Sequence, residues 1–174
     1  MLKKQGKTWE FVSEAALEDF VWVHLKSLFQ LEGLRRQYMV NGEVCDILAI
    51  DTLGGLVIIE LKNGEDRYVV QQLTRYYANL LEKKPLEAHI KYEKPVRLIA
   101  VTPSFHKHNW IDKQFNKLDI EFFTFEINER DRTRCFGLRS LGSSAFSEIE
   151  VPELIKADKS KKSEGSRTKK FTRF

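Results

Sequence analysis

The sequence predicts an α/β fold with a mixed central sheet flanked by helices. Three observations carry that expectation. Segments of helical period alternate with short aliphatic runs along the chain. Two of those runs, 44–50 and 56–62, are apolar at nearly every position, as strands covered on both faces are. Between them lies Thr52-Leu53-Gly54-Gly55, a hairpin signal. With 174 residues, 42% hydrophobic and 31% charged, the chain has room for one domain and is too apolar for wholesale disorder.

The elements follow in order. Phe11, Leu17, Phe20, Val21, Leu25, Leu28 and Phe29 recur every three or four residues and predict a helix over 10–32. Ser13 is its candidate cap, with Glu14 in the first turn. A short strand is expected at 37–41, broken by Gly42, and the hairpin of 44–50 and 56–62 ends at Asn63-Gly64. Val69, Leu73, Tyr76, Tyr77, Leu80 and Leu81 predict a helix over 66–83, stopped by Lys84-Pro85. A buried-type strand follows at 96–102, then a short helix at 107–118, a strand at 120–127 and an edge strand at 133–139. Beyond residue 142 the chain turns to Gly, Ser and charge. The expected division is a domain over 1–150 and a tail of little order over 151–174. No internal repeat is present.

Several classes are excluded. No run approaches ~18 uncharged apolar residues, so no membrane-spanning helix is expected. The N-terminus lacks a signal-peptide core. Cys45 and Cys135 cannot build a disulfide framework or a cysteine zinc site alone, so a reducing, cytoplasmic location is the default. The overall charge of +4 is unevenly spread. Residues 156–174 hold eight Lys or Arg against Asp158 and Glu164, a net +6, and the other 155 residues balance at −2. Such a tail suits contact with a polyanion, or simply solvation.

The chemistry is expected where charge interrupts the aliphatic hairpin. Glu60 and Lys62 follow at a spacing of two and share a sheet face. Unpaired, each would cost on the order of several kcal/mol by desolvation. Asp46 is a second carboxylate, on the neighbouring strand. A three-residue loop of Thr52, Leu53 and Gly54 gives a register in which paired numbers sum to 106, setting Asp46 opposite Glu60. A four-residue loop would not. Glycine at the third loop position suits the left-handed residue of a G1 bulge. Directly opposed residues have Cβ atoms roughly 4.5–5.5 Å apart, where two carboxylates repel unless a cation lies between them. Magnesium, with oxygen ligands at ~2.0–2.1 Å, could take Asp46, Glu60, the Leu61 carbonyl and waters. Lys62 would stand at its edge, to orient or deprotonate a water or to neutralise a phosphate. The alternative is a plain ion pair between Lys62 and a carboxylate.

The segment Gly42-Glu43-Val44-Cys45-Asp46-Ile47-Leu48-Ala49-Ile50-Asp51, followed by Gly55-Leu56-Val57-Ile58-Ile59-Glu60-Leu61-Lys62-Asn63-Gly64, resembles the catalytic domain of NucS-type endonucleases within the PD-(D/E)XK nuclease superfamily. Gln71-Gln72-Leu73-Thr74-Arg75-Tyr76-Tyr77 is similar to the Gln-x-x-x-Tyr element of RecB-like nucleases. The resemblance covers about 10–105 and implies a restriction-endonuclease-like fold. It implies Mg²⁺ or Mn²⁺ on Asp46 and Glu60, Lys62 as catalytic lysine, and Gln72 and Tyr76 on the helix behind the site. The family's acid on the first helix falls on Glu14 or Glu18. Leu17-Glu18-Asp19-Phe20 resembles the local pattern better, so Glu18 is favoured. Two departures stand out: Cys45 occupies the position of the superfamily's proline, and the separate N-terminal domain typical of NucS-type enzymes finds no counterpart in these residues.

The expected function is metal-dependent phosphodiester hydrolysis, most plausibly by a DNA endonuclease; cutting both strands of a duplex would favour a homodimer. A non-catalytic nucleic-acid-binding module on the same fold is the first rival, and a protein-interaction domain the second. Elsewhere, His106-x-His108 lacks a third ligand nearby, and Cys45, Cys135, Trp9, Trp22 and Trp110 read as core or edge residues. Arg35, Arg36, Lys91 and Lys94 are candidates for phosphate contacts, with Phe171 and Phe174 as candidate anchors at the tip of the tail.

Overall fold

The computed structural model describes residues 1–152; the basic tail, with Phe171 and Phe174, lies outside the described residues. The chain opens with a hairpin that periodicity did not predict, β1 (Leu2–Gln5) and β2 (Thr8–Phe11), turning at Gly6. β1 is almost wholly polar, and the alternation of Thr8-Trp9-Glu10-Phe11 in β2 spans only four residues. Ser13 then caps α1 (Glu14–Val23), its Oγ accepting the Ala16 N–H at 3.1 Å. The single helix expected over 10–32 is corrected at both ends. Residue 11 closes β2, and the helix breaks at His24 before α2 (Leu25–Phe29). The break turns Leu25, Leu28 and Phe29 into the core while Val23 stays exposed.

β3 (Glu32–Val40) is longer than the expected 37–41. It is an edge strand of largely charged and polar residues, which hid its first half from hydrophobic patterning. β4 (Glu43–Ile50) and β5 (Leu56–Leu61) form the expected hairpin. Ile47↔Ile59, Leu48↔Ile58, Ala49↔Val57 and Ile50↔Leu56 set the register predicted by a three-residue loop. Gly54 sits at φ +84, and Asp51 and Gly55 close the loop with an N–H to carbonyl bond of 3.0 Å.

α3 (Val69–Lys83) ends on left-handed Lys84. β6 (Arg97–Thr102) returns parallel to β5. α4 (Lys107–Phe115) leads to β7 (Ile120–Arg130), parallel to β6. β8 (Thr133–Ser140) was expected at the edge but is covered by a further strand, β9 (Phe146–Glu150). β9 was hidden by its Ser-and-Glu-rich sequence.

The nine strands form one mixed sheet, β1-β2-β7-β6-β5-β4-β3, with β8 and β9 branching from β7. One face packs on α1 and α2 through Leu17, Phe20, Val21, Leu28, Ile47, Val57 and Ile59. The other packs on α3 through Leu48, Ile58, Val69, Leu73, Tyr76 and Leu98. β4 and β5 are thus covered on both faces, as their aliphatic composition requires. Among the described residues, no helix is long and apolar enough to cross a membrane.

Candidate active site

The polar residues of the hairpin lie where its ladder stops. Backbone pairing ends at Ile47↔Ile59, one step short of Asp46 and Glu60. There the Asp46 side chain takes over from the backbone: its Oδ2 accepts the Leu61 N–H at 2.8 Å. The strict opposition of Asp46 and Glu60 expected from the register is therefore modified. The register holds along the ladder, and at its end a side chain-to-backbone bond stands in place of the next backbone pair.

Both carboxylates are buried, with Glu60 1% exposed and Asp46 9%. Burial, then the Asp46 charge, pushes the Glu60 carboxyl up to about 8, although Lys62 opposes this. Burial also raises Asp46, opposed by the Leu61 N–H and by Lys62. Burial first, and the Asp46 charge second, favour the protonated form of Glu60 near neutral pH. Lys62 Nζ lies 2.9 Å from Glu60 Oε1 and 3.8 Å from Glu14 Oε1. Burial draws the lysine down, but Glu60, Glu14 and Asp46 together outweigh this, and its pKa ends above the ordinary value. Lys62 therefore stays charged. The lysine contact leaves the other Glu60 oxygen unsatisfied: Oε2 is buried with no hydrogen-bond partner.

α1 brings both candidate helix acids to the same edge. Glu14 meets Lys62 and also accepts the Asn63 N–H at 3.3 Å. Glu18 is buried, its Oε1 2.6 Å from Arg36 Nε and its Oε2 bonded to Gln37 Nε2. Arg36 also reaches Asp19 at 2.6 Å, so this candidate phosphate contact is already engaged within the fold. From the opposite face, α3 presents Tyr76, a buried phenol raised by burial and then by Glu60, Cys45 and Asp46. Gln72 lies one turn earlier, its Oε1 buried and unpaired. Gln37 was missed by sequence reasoning, since a polar residue in a polar edge strand carries no anomaly.

Among the described residues, no group of three or more His, Cys, Asp or Glu could hold a metal ion by itself. The fit of a divalent cation rests on the donor set: two buried acidic side chains, one with an unpaired oxygen, and the unpaired amide oxygen of Gln72. All are acceptors, the kind of oxygen a hard cation takes alongside waters.

The remaining candidates have structural positions. His106 caps α4, its Nδ1 accepting the His108 N–H at 3.2 Å. Trp9 donates to Glu129 and lies under Arg134, Trp22 packs against the α1 core, and Trp110 stacks edge-on to Phe122. Cys45 and Cys135 are free thiols. A cavity of about 720 Å³ between α3 and α4 is lined by Val70, Gln71 and Ile111 among others, and by none of the site carboxylates.

The model of the Endonuclease NucS C-terminal domain matches residues 13–134 of the chain. An Endonuclease NucS from Micrococcus luteus is 45% identical over 58 residues, 33% of this chain and 25% of that protein. An EndoMS–dsDNA2 complex superposes with a TM-score of 0.52 at 21% identity, covering 69% of this chain and 46% of that one. A repair endonuclease from Pyrococcus abyssi gives 0.49 at 22% identity, over 63% and 46%. The chain spans a quarter of the length of the curated relative and under half of the solved ones. With most of its ordered sheet inside the matched residues and the Asp-…-Glu-x-Lys hairpin at their centre, the chain belongs to the family of the NucS endonuclease C-terminal domain.

Proposed function

We propose that this chain is a divalent-metal-dependent endonuclease that hydrolyses phosphodiester bonds in DNA. The observation that carries the reading is the burial of Asp46 and Glu60 together at the open end of the hairpin, with one Glu60 oxygen unpaired and Lys62 beside it. Family membership supports endonuclease chemistry. The duplex named with the EndoMS relative supports double-stranded DNA as substrate.

Asp46 and Glu60, with the Leu61 carbonyl, would hold Mg²⁺ or Mn²⁺. When bound, the cation supplies charge neutralisation at the scissile phosphate and lowers the pKa of a water. The chain's own residues do the rest. Lys62, kept protonated, is suited to balance negative charge as it develops on the phosphate rather than to accept a proton. Glu14 lies on the α1 side of Lys62, 3.8 Å away, and adds to the negative field that keeps it charged. Tyr76 stays protonated and can donate a hydrogen bond at the α3 side. Gln72, in the manner of the RecB-like Gln-x-x-x-Tyr element, offers an amide to a water or a phosphate oxygen. Cleavage of both strands would call for two copies of the site related by a two-fold axis.

The test is incubation of the full chain with plasmid, single-stranded and branched DNA in Mg²⁺ or Mn²⁺. Cleavage should require the metal. Asp46→Ala and Lys62→Ala should each slow it by about 10²–10³-fold without loss of fold by circular dichroism. Binding without cutting, indifferent to Asp46→Ala, would instead establish a non-catalytic nucleic-acid module.

A further inference from the structure

We infer that Gln37 is a positioning residue that holds Asp46 in its working orientation by tying it to Glu18. The inference rests on the nuclease reading and adds to it a residue outside the Asp-…-Glu-x-Lys and Gln-x-x-x-Tyr elements.

The backbone gives the first indication. Gln37 has φ +47, a conformation that L-residues other than Asn and Asp rarely adopt. The other described non-glycine residues with positive φ lie in turns or just past helix ends; Gln37 alone sits inside a strand. The ladder between β3 and β4 runs Arg36↔Ile47 and Tyr38↔Cys45, leaving Gln37 and Asp46 as a skipped step. The alternation of β4 breaks at the same point. Cys45 packs on the α3 side and Ile47 on the α1 side, although residues two apart should share a face. This irregularity frees the Asp46 side chain to bond the Leu61 N–H instead of following the pleat.

The side chain gives the second. Gln37 Nε2 lies 3.2 Å from Asp46 Oδ1 and also donates to Glu18 Oε2. An amide nitrogen carries two hydrogens, one for each carboxylate, whereas its oxygen would be repelled by both. The Glu18 oxygens are thus shared between Arg36 and Gln37, and those of Asp46 between Leu61 and Gln37. Gln37 is the neutral link from α1 to the metal-binding strand. It is itself exposed, so its apolar burial is slight. If only the shape of the strand mattered, glycine would adopt the same φ without strain. A glutamine kept there in a strained conformation points to its amide. By this reading Glu18 acts through Gln37, orienting Asp46 without touching the substrate.

Two variants separate backbone from amide. Gln37→Gly relieves the left-handed strain and deletes the donor. Gln37→Glu keeps the length but replaces the donor with a third acceptor between two carboxylates. Both should lower kcat by about 10–100-fold, the usual effect of losing a group that orients a metal ligand, with KM for duplex DNA unchanged. Mn²⁺ affinity, read by calorimetry without DNA, should fall in the same variants. The melting temperature of Gln37→Gly should not fall. Gln37→Gly with wild-type kcat and Mn²⁺ affinity would overturn the inference, whatever Gln37→Glu does. A wild-type chain that neither cleaves DNA nor takes up Mn²⁺ would overturn the nuclease reading itself.

Discussion

At the scale of single residues, Glu60 shows how a candidate site residue can act against the stability of its own fold. Its carboxyl is raised from an ordinary 4.5 to about 8 by burial and then by Asp46. In metal-free protein the unfolded chain ionises Glu60 above pH 4.5 while the folded chain keeps it protonated. The unfolded state therefore gains on the folded one as pH rises. The stability present below pH 4.5 is lost progressively up to about 8. Glu60→Gln removes that titration. In chelator, urea unfolding at pH 9 should find Glu60→Gln more stable than wild type by about 2–4 kcal/mol, with the gap closing toward pH 4.5. A gap that does not change with pH would mean that the carboxyl is not held protonated. The clustering of Asp46, Glu60 and Lys62 as a candidate site was legible in the sequence because a charge inside an aliphatic strand is an anomaly that demands a partner. Gln37 was not, since nothing in a polar edge strand announces a left-handed backbone, and that conformation is set by contacts from α1 and β4.

At the scale of elements, the hairpin is the device that brings the carboxylates together, and Gly54 is its pivot. At φ +84 the position excludes most side chains, and an added Cβ would also come within 3.1 Å of the Lys91 side chain. Gly54→Ala should lower stability by about 1–2 kcal/mol, read from the midpoint of urea unfolding. Cleavage by the folded fraction should persist, because Ile47↔Ile59 and its neighbours still fix the register. Loss of cleavage at full folding would show that the loop controls more than stability. The loop chemistry made this register legible in advance: a three-residue turn with glycine in the left-handed place sums the pairs to 106, where a four-residue turn would not. Other boundaries were hidden for the converse reason. β1 and β9 are short and polar, and they become strands because β2 and β8 offer them partners. The break at His24 serves packing, placing Leu25 and Phe29 in the core where uninterrupted periodicity predicted one continuous helix.

At the scale of the whole molecule, charge is divided between two parts. The first 155 residues are close to neutral at −2, and the site itself is rich in carboxylates, while residues 156–174 carry +6. A polyanion approaching the carboxylate edge therefore meets no net attraction from the body as a whole, and long-range affinity falls to the tail and to local cations such as Lys62. Each phosphate neutralised releases counterions and steepens the dependence of log Kobs on log salt by about 0.9 for duplex DNA. If half of the eight tail cations engage, the slope should become shallower by about 3–4 when the chain is ended at residue 155. That truncation removes none of the described residues. β9 ends at Glu150, and Val151 is buried with its N–H 2.7 Å from the Arg134 carbonyl. The comparison is duplex binding by full and shortened chains across a salt series, in chelator so that cleavage does not intrude. Rates at saturating DNA and restored metal should agree between the two, because Asp46, Glu60 and Lys62 are unaltered. Equal salt slopes would assign the tail to solvation and return all phosphate contact to the body. A fall in the saturated rate would mean that the tail acts at the site as well as in recruitment.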